Sequence, residues 1–186
     1  PKTINLQDYH SEEFNQKYVE AETTLPGRQI QARHLWEKII RSQIETGTPY
    51  VMFKDRVNSC SNQKHLGTIK GSNLCVEVCE YTSPDEIAVC TLASVALPAF
   101  VQGTFQFDKF GARVEDVVRH LDRVIDQTYY PLGEAETSNM KHRPMGIGVQ
   151  GLSDVFQMHD MSFESQEALD LDGAIFETMY YHALKS

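Results

Sequence analysis

The chain has 186 residues, 41% apolar and 23% charged, with a formal net charge of −9. That length holds one domain with a substantial core, and the composition is globular rather than disordered. An acidic chain with scattered basic residues lacks the basic stripe of a DNA or RNA binder, and no apolar run approaches the ~18 residues of a membrane span.

The N-terminal Pro1-Lys2-Thr3-Ile4-Asn5-Leu6 is neither a signal peptide nor a transit segment. Tyr9 to Val19 is compatible with a short helix. After Pro26-Gly27 the apolar residues Ile30, Leu35, Trp36, Ile39, Ile40 and Ile44 fall on one face of a helix that Gly47 and Pro49 end. Tyr50 to Phe53 reads as a short buried strand, and Lys54 to Gly71 as a polar loop. Leu74 to Tyr81 reads as extended, and Thr82-Ser83-Pro84-Asp85 as a turn.

Ile87 to Phe100 is apolar with small residues, as in a buried strand passing into a tightly packed turn or helix. Phe107 to Tyr130 holds a second strong helix, with Val114, Val117, Val118, Leu121, Val124 and Ile125 on its stripe. Glu134 to Arg143 is polar and charged. Met145 to Val149 reads as a strand, Leu152 to Met158 as a short helix, and from Ser165 a helix turns Leu169, Ile175, Phe176 and Met179 inward. Short strands alternating with long amphipathic helices predict an α/β architecture with parallel strands. Neither an internal repeat nor a low-complexity linker marks a boundary within 1–186.

The chemistry concentrates in Gly71-Ser72-Asn73-Leu74-Cys75-Val76-Glu77. If Asn73 to Glu77 is extended, Asn73, Cys75 and Glu77 share one face, each about 6–7 Å from the next. An amide, a thiol and a carboxylate on one face suit chemistry on a small polar ligand. The competing reading is a strand with a buried free cysteine, which packs as a small hydrophobe. A buried amide and carboxylate beside it are costly unless partnered. Cys60, Cys75, Cys79 and Cys90 are the four cysteines, all clustered between positions 60 and 90. Such clustering is unlike a secreted disulfide framework, so a reducing, cytoplasmic setting is expected. Cys90, in an apolar segment, reads either as a core residue or as a neighbour of Cys75 on an adjacent strand.

Three other sites compete. Gly146-Ile147-Gly148-Val149-Gln150-Gly151 fits the G-x-G-x-x-G dinucleotide fingerprint, with Asp170 and Asp172 at about the distance of a ribose ligand. Yet Lys141-His142-Arg143-Pro144 precedes it in place of an apolar strand, and the following helix is short. A small-residue strand at a close backbone approach explains the glycines as well. A zinc site from Cys75 and Cys79 with Cys60, Cys90 or His65 lacks a second ligand pair of matching spacing. A Cys75–His hydrolase dyad stays open, because the histidine partner of such a dyad comes from anywhere in the chain.

Four stretches together resemble the ribonucleotide reductase large (catalytic) subunit, closest to the aerobic class I enzymes. They are Ser42-Gln43-Ile44-Glu45-Thr46-Gly47-Thr48-Pro49-Tyr50, Leu66 to Glu77, Ala88-Val89-Cys90-Thr91-Leu92-Ala93-Ser94, and Arg143 to Leu152. The resemblance implies a ten-stranded α/β barrel, of which residues 1–186 are a central portion, with a finger loop carrying the radical cysteine. It implies that Cys75, as a transient thiyl radical, takes the 3′ hydrogen of a ribonucleotide. Glu77 then accepts the 3′-hydroxyl proton, Asn73 hydrogen-bonds the substrate, and Cys90 is one of the thiol pair that supplies reducing equivalents.

By the same resemblance the segment itself binds no metal or cofactor. The radical comes from a metal-containing small subunit, ATP and dNTP effectors bind elsewhere in the large subunit, and thioredoxin or glutaredoxin is the reductant. A large-subunit homodimer is expected, with no DNA and no membrane as partner. The chain starts without Met and stops within a helical pattern, and the partner thiol of Cys90 is not in it. A piece of a larger subunit, inactive alone, is therefore expected, whether a split or intein-interrupted gene product or a truncated form. The alternatives are a non-catalytic assembly fragment and a cysteine-nucleophile hydrolase.

Overall fold

In the computed structural model, which describes residues 4–25, 27 and 29–186, the chain divides into a first unit ending at Ala88 and a second running Val89–Ser186. Pro26, part of the expected helix-start signal, and Pro1 to Thr3 lie outside the described residues.

The first unit is helical and largely polar. Helix α1 (Ser11–Thr24) follows a 3-10 turn, and α2 (Ala32–Thr46) ends where Gly47 closes it. Ile30 precedes α2 rather than joining its face. The apolar stripe of α2 exists but is uncovered: the helix has no buried residue, and Trp36 and Ile44 are 57% and 80% exposed. Tyr50 to Phe53 is neither buried nor a strand. A buried strand needs a ladder partner, and the described strands pair elsewhere.

Helix α3 (Lys54–Cys60) takes the first part of the loop expected at 54–71, and 61–71 remains without helix or strand. The polar side chains of α3 brace the unit from one turn. Lys54 Nζ donates to the carbonyls of Gln7 and Tyr9 at 2.6 and 2.8 Å, and Asp55 Oδ1 accepts from the Ser11 N–H at 2.6 Å. Burial pushes the Lys54 ammonium below its ordinary range, partly offset by the nearby Asp8 and Asp55 carboxylates. Asn58, 3% exposed, pairs with both backbone groups of Ile69.

The second unit is built on a parallel strand pair. Strand β1 (Leu92–Ala96) runs beside β4 (Gly146–Gln150), with Leu92 opposite Gly146 and Ala96 opposite Gln150. Within 87–100 the expected strand is β1, and the expected turn is a 3-10 one (Leu97–Phe100), which leads into the short antiparallel β2 (Val101–Gln102) and β3 (Thr104–Phe105). Helix α4 (Phe107–Gln127) buries Phe110, Val114, Leu121 and Ile125, a line at spacings of four and seven. Val124, expected inward, is exposed. Phe110 and Val114 meet Val95, Leu97, Phe105, Val155 and Ile175 in the core, where the Phe110 ring packs edge-on against Phe100 and Phe105.

The charged stretch after Pro131 is itself a helix, α5 (Gly133–His142). Arg143 closes it in the left-handed region and reaches back to α4, donating to Asp122 Oδ1 at 2.6 Å and Asp126 Oδ1 at 2.9 Å. Helix α6 (Leu152–Met158) has the expected bounds. Ser165 caps α7 (Gln166–Lys185) by accepting from the Ala168 N–H. On α7, Ile175 is inward as expected but Leu169 and Phe176 face solvent; Ala168 takes the other buried position.

Gly111 and Gly151 both carry close approaches. A Cβ on Gly111 would sit 2.3 Å from His182 Nε2, so glycine lets α7 lie against α4. There His182 Nδ1 and Lys185 Nζ both meet Glu115 Oε1, at 2.7 and 3.0 Å. Gly151 has φ +79° and sits against Pro98, turning β4 into α6. The first two glycines of the fingerprint stretch thus lie inside β4 rather than after a strand, and the helix that follows has seven residues. That is the architecture of close strand packing, not of a dinucleotide turn. No helix among the described residues is long and apolar enough to cross a membrane.

Candidate active site

The stretch from Leu66 to Thr82 is a hairpin-shaped excursion without a ladder. Its two limbs are pinned by side chains. Gly67 lies under the Tyr81 ring, and the Tyr81 N–H donates to Gln63 Oε1 at 2.7 Å. Ile69, fully buried, is gripped by Asn58: Oδ1 accepts from the Ile69 N–H at 2.7 Å and Nδ2 donates to its carbonyl at 2.9 Å. Lys70 forms an ion pair with Asp8. The second limb ends in the expected turn, where the Ser83 N–H meets the Glu86 carbonyl.

At the tip, the extended conformation expected for Asn73 to Glu77 is not what forms. The Val76 N–H donates to the Asn73 carbonyl at 3.2 Å, which closes a turn with Leu74 and Cys75 at its corners. Val76 has φ +68°. That region costs an L-residue roughly 1–2 kcal/mol, and a β-branched one is a marked outlier there. The turn brings together what a strand would separate. Extended, Asn73 and Glu77 would stand about 13 Å apart; here Asn73 Nδ2 donates to Glu77 Oε1 at 2.6 Å. The same amide accepts the Val78 N–H on Oδ1 at 3.2 Å.

Cys75 is exposed at the second corner of this turn, and Leu74 beside it is 82% exposed. The buried-cysteine reading of Cys75 therefore does not hold. Asn73 and Glu77 are exposed as well and satisfy one another, so the turn carries an exposed thiol at one corner and a paired amide and carboxylate at its ends. A cleft of about 340 Å³ opens beside the neck of the loop. Lys70, Ser72, Asn73 and Thr82 are among its lining residues, but neither Cys75 nor Glu77 is.

Cys90 belongs to the second unit, two residues before β1, and is exposed rather than a core residue. Neither it nor Cys75 is part of a strand, so the adjacent-strand expectation fails for both. Cys79 places its sulfur 3.8 Å from Met52 Sδ, and Cys60 lies 3.7 Å from Ser59 Oγ. Among the described residues no group of three or more His, Cys, Asp or Glu could hold a metal ion.

Neither Ser72 nor Asn58 stands out in the sequence as a site residue. Gly71-Ser72-Asn73 is a run of turn-forming residues, which was the available signal for the first. Asn58 carried no comparable signal.

Comparison with known proteins bears on the whole chain. The family model described as ribonucleotide reductase, barrel domain, matches residues 1–186. The chain is 50% identical over 186 residues to the ribonucleoside-diphosphate reductase large chain of Encephalitozoon cuniculi (strain GB-M1), covering 100% of this chain and 24% of that one. It is 47% identical over 188 residues to the large chain 2 of Saccharomyces cerevisiae (strain ATCC 204508 / S288c), covering 97% and 22%. Among solved structures, it is similar to the Actinobacillus ureae class Id ribonucleotide reductase alpha subunit, with a TM-score of 0.74 and 29% identity over 90% of this chain and 32% of that one. The chain thus spans about a quarter of the length of the curated relatives it matches.

Proposed function

The chain belongs to the ribonucleotide reductase barrel-domain family, and from that membership we propose that it is a central portion of a catalytic large subunit that reduces ribonucleotides to deoxyribonucleotides. The substrates proposed are ribonucleoside diphosphates, as the names of the large-chain relatives suggest. The observation that carries the reading is the reactive turn itself: an exposed Cys75 at the corner of a loop whose ends join Asn73 to Glu77 at 2.6 Å.

The chemistry assigned to these groups follows their properties. Cys75, as a thiyl radical, takes a hydrogen atom from C3′ of the ribose, forming S–H and leaving a carbon radical. Glu77 accepts the 3′-hydroxyl proton, which makes the abstraction productive. Asn73 offers amide hydrogens to Glu77 and to the substrate. Loss of the 2′-hydroxyl as water then requires two electrons, which a thiol pair supplies by closing to a disulfide. Cys90 is proposed as one member of that pair, its partner outside this chain.

The full barrel of ten strands, into which the Asn73–Glu77 loop projects as a finger, belongs to the same proposal. So do a radical-generating small subunit that holds the metal, a large-subunit homodimer, effector sites for ATP and dNTPs elsewhere, thioredoxin or glutaredoxin as reductant, and a cytoplasmic location. Within the large subunit, Cys75→Ser is expected to abolish turnover while ribonucleotide binding persists. Full turnover after that change would favour an assembly role for this segment, and an acyl adduct on Cys75 formed without any radical source would favour the hydrolase.

A further inference from the structure

Two features of the reactive turn are not accounted for by the roles of Asn73, Cys75 and Glu77. Val76 is held at φ +68°, and a β-branched residue keeps that backbone only where its surroundings over-determine it. Asn73 also has an amide with two chemically distinct ends, and only one orientation presents its NH2 to Glu77.

Contacts at the neck of the loop settle both. Ser72 Oγ donates to the Val78 carbonyl at 2.6 Å, tying residues on either side of the turn. Held there, the Val78 N–H reaches Asn73 Oδ1 at 3.2 Å. A backbone N–H can only donate, so the amide oxygen must occupy that side and Nδ2 must face the Glu77 carboxylate. Ser72 Oγ also lies 3.3 Å from Asn73 Oδ1. The hydroxyl has one proton, and the shorter contact to Val78 holds it.

We propose that Ser72 is a positioning residue of the reactive turn: its hydroxyl latches the neck to Val78 and, through that latch, fixes the Asn73 amide with its NH2 on Glu77. The proposal rests on the function assigned above and adds a residue to which that function gives no part. An exposed serine with no such role tolerates truncation with little effect, so the two readings diverge sharply.

The test is ribonucleotide reduction by the full large subunit with its small subunit, comparing wild type, Ser72→Ala, Ser72→Thr and Cys75→Ser. Ser72→Ala is expected to lower kcat about tenfold with KM within about twofold, the pattern of an interaction realised in the transition state. Ser72→Thr keeps the hydroxyl and restores kcat to within about threefold of wild type. The thermal midpoint of Ser72→Ala stays within about 2 °C of wild type, as for a surface loop. Wild-type kcat in Ser72→Ala, a change confined to KM, an equal loss in Ser72→Thr, or a larger drop in thermal midpoint each overturns the latch. Cys75→Ser separates the levels. If it is inactive while Ser72→Ala is not impaired, the latch alone fails; if it turns over, the assignment of the site fails.

Discussion

Replacing Asn58 by alanine should loosen the limb that leads into the reactive turn, and the size of the effect follows from three hydrogen bonds. Asn58 is 3% exposed. Its Nδ2 donates to the Lys54 carbonyl at 3.0 Å and to the Ile69 carbonyl at 2.9 Å, and its Oδ1 accepts from the Ile69 N–H at 2.7 Å. One side chain thus replaces the strand partner that Ile69 lacks. Alanine would leave both backbone groups of a fully buried residue without that partner, at about 1–3 kcal/mol each, hence about 2–6 kcal/mol together. Asn58→Asp is the companion variant: it keeps the acceptor but turns an oxygen toward two carbonyls, and should do no better. The assay is amide hydrogen exchange in the large subunit, read at Ile69 and across 66–78. A loss of 2 kcal/mol accelerates exchange about thirtyfold, while protection in α4 should stay as it is in wild type. If exchange at Ile69 changes less than about threefold in Asn58→Ala, Asn58 does not hold this limb and the estimate is refuted.

The other expectations concern the turn and the helix pair behind the second unit's core. Val76→Gly takes φ +68° without the Cβ cost of roughly 1–2 kcal/mol and should keep turnover within a few-fold. Val76→Pro fixes φ near −65° and removes the N–H that closes the turn, so it should abolish turnover; an active proline variant would show that the turn is dispensable. Glu115 is held below its ordinary carboxyl value of 4.5 by hydrogen bonds from His182 and Lys185. A depressed folded-state value means that the stabilisation is fully present above about pH 4.5 and is lost as pH falls through the depressed value. The difference in unfolding midpoint between neutral and acid pH should therefore be smaller in Glu115→Gln than in wild type, and equal differences would show that the cluster does not couple α7 to α4.

Much of the second unit was legible because apolar side chains built it. The stripe on α4, the bounds of α6 and the start of α7 at Ser165 all come from period and capping, whereas Val124, Leu169 and Phe176, on the same patterns, stay exposed. Where polar contacts built the structure, hydropathy gave no warning. Lys54-Asp55-Arg56-Val57-Asn58 has one apolar residue, so nothing periodic marked it as a helix, yet Lys54, Asp55 and Asn58 brace the first unit by hydrogen bonds to distant backbone groups. Glu134 to His142 was opaque for the same reason; what Ala135 buries is too small to register as a stripe. The stripe on α2 misled in the opposite direction, since apolar spacing specifies a face and not what covers it.

At the reactive turn the residue types were informative and the conformation was not. Alternation of Leu74 and Val76 with polar neighbours suits a strand, and so does a β-branched Val76. Gly71-Ser72-Asn73 is a run of turn-forming residues, and the hydrogen bonds Ser72 and Asn73 make decide the outcome. Ser72 and Asn73 each offer a side chain to backbone groups beyond the tip, and those bonds outweigh the preference of one valine. The consequence is chemical as well as structural. A strand would hold Asn73 and Glu77 on one face but out of reach of each other, whereas the turn makes them a bonded pair with Cys75 between them in sequence. A backbone conformation that propensity disfavours is thus the one that bonds amide to carboxylate across the corner that carries Cys75, and local rules fail at the residues that form this turn.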